Sequence, residues 1–231
     1  MNTSCRIFLS EQSYESALRK LIALGVPDRE INVLQPAPQD ERVEAGAAGD
    51  SLFFVRGVGR VVASGDRAKA LLKAAGTRQS RSSEVGDGSD ATLLDRFFVF
   101  ENALRGGEKV VFVVAAERHQ WKRIEETFNE CGSKELHRAT EDWWAEICEK
   151  EKLATATGDA PHTVDDYLFR LGFEASLHPV RRGVPFDDAR EALNATHPEA
   201  CETESFRKGY ERGRAHQQAF DDSALCPAGS R

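Results

Sequence analysis

The chain has 231 residues, 40% apolar and 30% charged, and its 31 Lys and Arg against 38 Asp and Glu give a formal net charge of −7. That length allows one large domain or a medium domain with an appendage. The negative excess disfavours nucleic acid and anionic membranes, which both draw on a basic surface. No apolar run approaches the roughly 18–20 residues that cross a bilayer, and the opening MNTSCRIFLS has no secretory core. A cytoplasmic protein with no nucleic-acid or membrane partner is therefore expected.

In chain order, CRIFL at 5–9 reads as a first strand. A helix follows at 11–24, with Tyr14, Leu18, Leu21 and Ile22 on one face. Ser10 is placed to cap it, Leu9 and Tyr14 to staple it, and Gly25 with Pro27 to end it. EINVL at 30–34 is a second strand, completing a β-α-β unit. PAPQDERVEAGAAGD (36–50) is a polar connection. SLFFVRGVGRVVASG reads as an extended segment kinked at Gly57 and Gly59, and RAKALLKAAG as a short helix. TRQSRSSEVGDGSD (77–90) is nearly devoid of apolar residues and reads as a mobile loop.

LLDRFFVFENALRGG has the apolar spacing of a buried helix. KVVFVVAA (109–116) is a near-continuous β-branched run, the pattern of a strand buried on both faces. A helix with Trp121, Ile124, Phe128 and Cys131 on one stripe leads to KELHRA, read as a last strand. TEDWWAEICEKEKLA continues as a helix that docks Trp143 or Trp144 on the body. Two β-α-β units imply an α+β fold, a ferredoxin-like two-layer sandwich over 1–154 with an insertion around 37–92. The linker TATGDAPHT (155–163) then opens an α-helical C-terminal extension over 163–220, with a disordered end at 221–231.

That extension repeats a phrase: FRLGFE at 169–174 and FRKGYE at 206–211. On a helix it places two aromatics at i and i+4, and an Arg–Glu pair at the same spacing, which contributes only a few tenths of a kcal/mol. Mid-helix Gly costs about 1 kcal/mol against Ala. Its presence in both copies, followed four residues on by Ser176 and Gly213, points to two helices in close approach. The functional alternative is a partner-binding surface of Phe169, Arg170, Phe173, Phe206, Arg207 and Tyr210.

Motifs for chemistry are absent. GVGRVVASG (57–65) fails the dinucleotide pattern because Val62 stands where GxGxxG needs glycine. The five cysteines are scattered without CxxC, and the six histidines lack paired-ligand spacing. No GxSxG surrounds any serine. Asp165–Asp166 and Asp187–Asp188 suit helix starts, where carboxylates complement the dipole. No catalytic residue, metal or cofactor is expected.

CRIFLSEQSYESALRKLIALGVPDREINVL, VRGVGRVVASG and FENALRGGEKVVFVV together resemble the strand–helix–strand opening, the glycine-punctuated segment and the strand entry of bacterial general stress (heat-induced stress) proteins. YLFRLGFEA, VPFDDAREAL and FRKGYERGR resemble the helical extension of some members. The family's long Gly/Ala-rich apolar hairpin is reduced here to RAKALLKAAG and a polar loop, so no membrane role is expected. The resemblance implies a stress-linked cytoplasmic protein with a ferredoxin-like core and supplies no catalytic residues. A non-enzymatic interaction or ligand-sensing module follows, as a possible homodimer or with a protein partner. The alternative is an enzyme or small-molecule binder whose site forms only in three dimensions.

Overall fold

The structure, a computed structural model, describes residues 2–38, 50–76, 88–115, 118–155 and 167–225. They fall into two compact units, Met1–Thr140 and Glu141–Arg231.

In the first unit, strand β1 (Asn2–Phe8) leads into helix α1 (Glu11–Ala23) and strand β2 (Ile31–Pro36). The Ser10 hydroxyl accepts from the Ser13 N–H at 3.2 Å and starts α1 as its sequence predicts. The staple differs: Leu9 stays 59% exposed, and Tyr14 packs edge-on against Phe8 instead. Strands β3 (Ser51–Val55) and β4 (Gly59–Ser64) come next. What reads as one kinked strand is thus a hairpin, turning through residues with Gly57 and Gly59 at positive φ. Helices α2 (Asp66–Gly76), α3 (Gly88–Asp95) and α4 (Phe97–Arg105) follow, then strand β5 (Lys109–Ala115) and helix α5 (Arg118–Glu130). The predicted connection 36–50 and loop 77–90 lie largely outside the described residues, and 88–90 belong to α3. Strand β6 is only Lys134–Glu135. The LHRA that follows joins helix α6 (Leu136–Thr155) rather than a strand, because Ala139, Trp143 and Ile147 recur at four-residue spacing on its buried face.

The strands form one antiparallel sheet in the order β3-β4-β2-β5-β1-β6. The fold is α+β, but the order departs from a four-stranded sandwich because the β3–β4 hairpin widens the sheet beyond β2. β5, buried on both faces as expected, separates β1 from β2. On one face Phe8, Ile31, Val33, Val111 and Val113 join Ala17 and Leu21 of α1 and Ile124 and Phe128 of α5 in a single apolar cluster. The alternate residues Cys5, Ile7, Leu34, Val110 and Phe112 are buried on the opposite face. There the Asn32 side chain accepts from the N–H groups of Arg67 and Ala68 and caps α2, and α4 packs on β2 and β5. Helices therefore cover both faces, not one. Gly65, at φ +89°, turns β4 into α2 so close to Asn32 and the Ile31 carbonyl that a Cβ has no room.

The second unit begins inside α6, ahead of the linker that composition suggests; that linker falls mostly outside the described residues. Trp143 and Trp144 pack on Phe173, with ring centroids 6.0 and 5.4 Å away. Helix α7 (Tyr167–Leu177), helix α8 (Phe186–Thr196) and helix α9 (Glu204–Leu225) complete the unit. Asp187 and Asp188 occupy the first turn of α8, as expected.

The repeated phrase is a helix crossing. A Cβ on Gly172 would strike the Phe206 carbonyl, one on Gly209 the Phe169 carbonyl, and one on Gly213 the Ser176 hydroxyl and Phe173 carbonyl. Partners advance along both helices together, so α7 and α9 run parallel. Phe169 meets Gly209 while Phe206 meets Gly172, which relates the two copies by a local two-fold. Phe186, Leu193, Phe206 and Tyr210 form a cluster beside the crossing, and the Tyr210 hydroxyl donates to the Val184 carbonyl at 3.1 Å.

Candidate functional site

Each residue of the predicted aromatic surface has a definite place. Phe169, Phe173, Phe206 and Tyr210 are buried within the second unit, so solvent reaches only the arginines of that set. Arg170 grips Glu141 through both terminal nitrogens at 2.8 and 3.0 Å. It also donates from Nε to Glu174 at 2.7 Å and lies over the Trp144 ring. Arg207, more exposed, turns to Asp187 at 3.4 Å and covers Phe186. The i,i+4 ion pair therefore forms in the first copy, while in the second Glu211 accepts from the Phe186 N–H and from Arg214. The burial of the four aromatics favours the close-packing reading of the phrase.

Polar chemistry gathers instead in the first unit, at the outer edge of β1. β6 pairs only with Arg6 and Ile7, so among the described residues the stretch from Asn2 to Cys5 has β5 on one side and no strand on the other. Beside that open edge lies a cleft of about 390 Å³, lined by residues of β1, by Leu93, by Trp121 and Glu125 of α5, and by Glu135 and His137. The pleat decides which β1 side chains enter which layer. Ser4, Arg6 and Phe8 share the α5 face, which directs a guanidinium at Glu125.

Arg6 is only 5% exposed. Its Nη2 donates to Glu125 and sits 3.3 Å from Glu135, and the Ser4 hydroxyl donates to the other oxygen of Glu125. One cation thus holds two carboxylates from different elements, and the three together carry one formal negative charge. Satisfaction is incomplete: Arg6 Nε and the Thr3 hydroxyl have no hydrogen-bond partner, a condition that costs about 1–3 kcal/mol per buried group. Trp121, packed against the α1–α5 cluster and half-buried, offers an indole to the same cleft. Burial pushes the Cys5 thiol up to about 12 despite the nearby Arg6 charge. It is therefore a thiol, not a thiolate nucleophile, at neutral pH.

Among the described residues no group of three or more His, Cys, Asp and Glu could hold a metal ion, and no helix is long and apolar enough to cross a membrane. Glu174 and His178, one turn apart, are engaged elsewhere: Glu174 with Arg170, and His178 Nδ1 as acceptor for the Val180 N–H. None of the cleft's charged residues is singled out by the sequence motifs, because Arg6, Glu125 and Glu135 are drawn from positions 6 to 135. One signal was present: CRIF is apolar on both faces, with Phe8 on the side of Arg6 and Cys5 and Ile7 on the other, and a charge in such a strand needs partners.

No family model, no curated protein and no solved structure matches this chain.

Proposed function

We propose that the protein is a non-enzymatic, stress-associated cytoplasmic module that senses a small polar ligand in the cleft beside β1. The observation that carries this reading is the buried Arg6, which spends its charge on holding Glu125 and Glu135 at the rim of a cleft instead of closing it. The net negative charge of that triad, together with the Trp121 indole, suits a ligand with a basic group. Carboxylates and an aromatic face both attract such a cation. The stress association rests on the resemblance of the opening and tail motifs. The same motifs support a ferredoxin-like core enlarged by the β3–β4 hairpin: without β3 and β4 the order reads β2-β5-β1-β6, in which each β-α-β unit holds a strand of the other between its own two.

Convergence of distant residues on one cleft also favours the small-molecule-binding alternative over a purely structural role, but the Cys5 thiol lends it no nucleophile. The test is an NMR titration with spermidine, reading the Trp121 indole N–H and the β1 amides. Saturable shifts that vanish in Glu125→Gln/Glu135→Gln support the reading. Unmoved cleft signals across spermidine, simple amines and guanidines, with a folded protein, would overturn it.

A further inference from the structure

The sheet has two outer strands, and they are built differently. β6 is two residues long, and the edge of β1 that it leaves uncovered, Asn2 to Cys5, adjoins the polar cleft. β3 presents five residues, SLFFV, paired among the described residues only to β4. It carries no Lys, Pro or bulge, the usual protections of a free edge. Two of its side chains also stand out in water: Phe54 is 77% exposed and Leu52 46%. Being two residues apart, they lie on the same face of the sheet, opposite Arg60 and Val62 of β4.

We infer that β3 is the dimer interface of this protein, and that its occupant is β3 of a second copy of the chain, added antiparallel about a two-fold axis through Phe53. The stretch Asp50–Arg56 reads D-S-L-F-F-V-R, and pairing it with itself in that register matches its exposed apolar and its charged positions. Leu52 falls opposite Phe54 of the other copy, and Phe54 opposite its Leu52, so both exposed apolar side chains are covered by a partner of matching character. Phe53 meets its own symmetry mate. At the two ends Asp50 falls opposite Arg56, one negative charge against one positive, twice over. A shift by one residue would break all of these matches and put the Leu52 and Phe54 pair of one copy on the opposite face of the joint sheet from that of the other. Such an isologous contact closes on itself, so the sheet stops at twelve strands instead of growing into a fibre. Within its own copy one oxygen of Asp50, Oδ1, accepts from the Ser64 hydroxyl at 2.6 Å.

The interface is independent of the cleft at the opposite edge of the sheet and of its ligand. It is tested by the oligomeric mass of the full chain, by light scattering on a size-exclusion column across a range of concentrations. The wild type is expected to be a dimer, and Phe54→Lys, which places a charge where natural edges carry one, a monomer of half the mass. Asp50→Arg alone and Arg56→Asp alone set like charges opposite each other and should also dissociate. The double exchange restores opposite signs and should restore the dimer. Because Phe54 is exposed, its replacement leaves the fold intact, which a thermal melt checks. A wild type that stays monomeric up to millimolar concentration, a dimer indifferent to Phe54→Lys, or a charge pair without rescue would each overturn the inference.

Discussion

In the helical unit the tightest contacts are made by groups that need no partner beyond shape: glycine Cα atoms against carbonyls, and Phe173 enclosed by Trp143, Trp144 and His216. In the sheet unit a buried guanidinium bridges two carboxylates, with one donor left over. The first arrangement, among the described residues, fills its interior with apolar and aromatic groups. The second leaves a polar opening where a strand edge ends. A repeated aromatic phrase draws the eye, yet it belongs to packing; the unremarkable CRIFL carries the residue on which the functional reading turns.

Experiments that break this contrast should show it in size and in kind. The largest effect is expected from Phe173→Ala, which empties a fully buried ring site and should destabilise the second unit by about 3–5 kcal/mol in urea. Gly209→Ala and Gly172→Ala follow, because each Cβ meets a backbone carbonyl that cannot step aside; overpacking there should cost at least about 1–3 kcal/mol. Either replacement at exposed Gly76, where a Cβ meets nothing, should be neutral or stabilising. Intact stability in Gly209→Ala would refute the close crossing.

In the sheet unit, Glu125→Ala leaves Arg6 with only the more distant Glu135 and strands the Ser4 hydroxyl. The cost should be about 2–3 kcal/mol, less than for a fully buried pair because Glu125 is one quarter exposed. Here stability and binding should fall together, whereas the helical-unit variants should leave the spermidine response of the cleft untouched.

His178 gives a comparable effect that depends on pH. Burial first, then the charges of Arg181 and Arg182, lower its pKa from 6.5 to about 4. The unfolded chain therefore binds the proton more readily between these values. The stabilisation is fully present above pH 6.5 and is lost as pH falls toward 4, by up to about 3 kcal/mol. His178→Asn keeps an acceptor for the Val180 N–H and should flatten that part of the stability curve. The smallest effect belongs to Arg207→Ala, whose ion pair with Asp187 is exposed and should contribute less than about 1 kcal/mol.

The contrast also explains what could be read in advance. Local signals were strong for β1, α1, β2, β5 and the α7–α9 pair: a capping serine, β-branched continuity, and glycines whose cost demands a close neighbour. The β3–β4 hairpin was missed because Gly57 and Gly59 mark a kink and a turn equally well. β6 was overextended because LHRA suits a strand end and a helix start alike, and only the burial of Ala139 with Trp143 and Ile147 decides. The cleft depends on strand order: Arg6 meets Glu125 and Glu135 only because β1 lies between β5 and β6, a long-range pairing that no short window of sequence contains.

The proposed ligand site of the sheet unit is best tested by native mass spectrometry of the protein purified gently from cells. The expected result is a dimer whose protomers each carry a small basic molecule, released in Glu125→Gln/Glu135→Gln while the dimer persists. A bare chain that gains no mass when spermidine and related amines are supplied would contradict it.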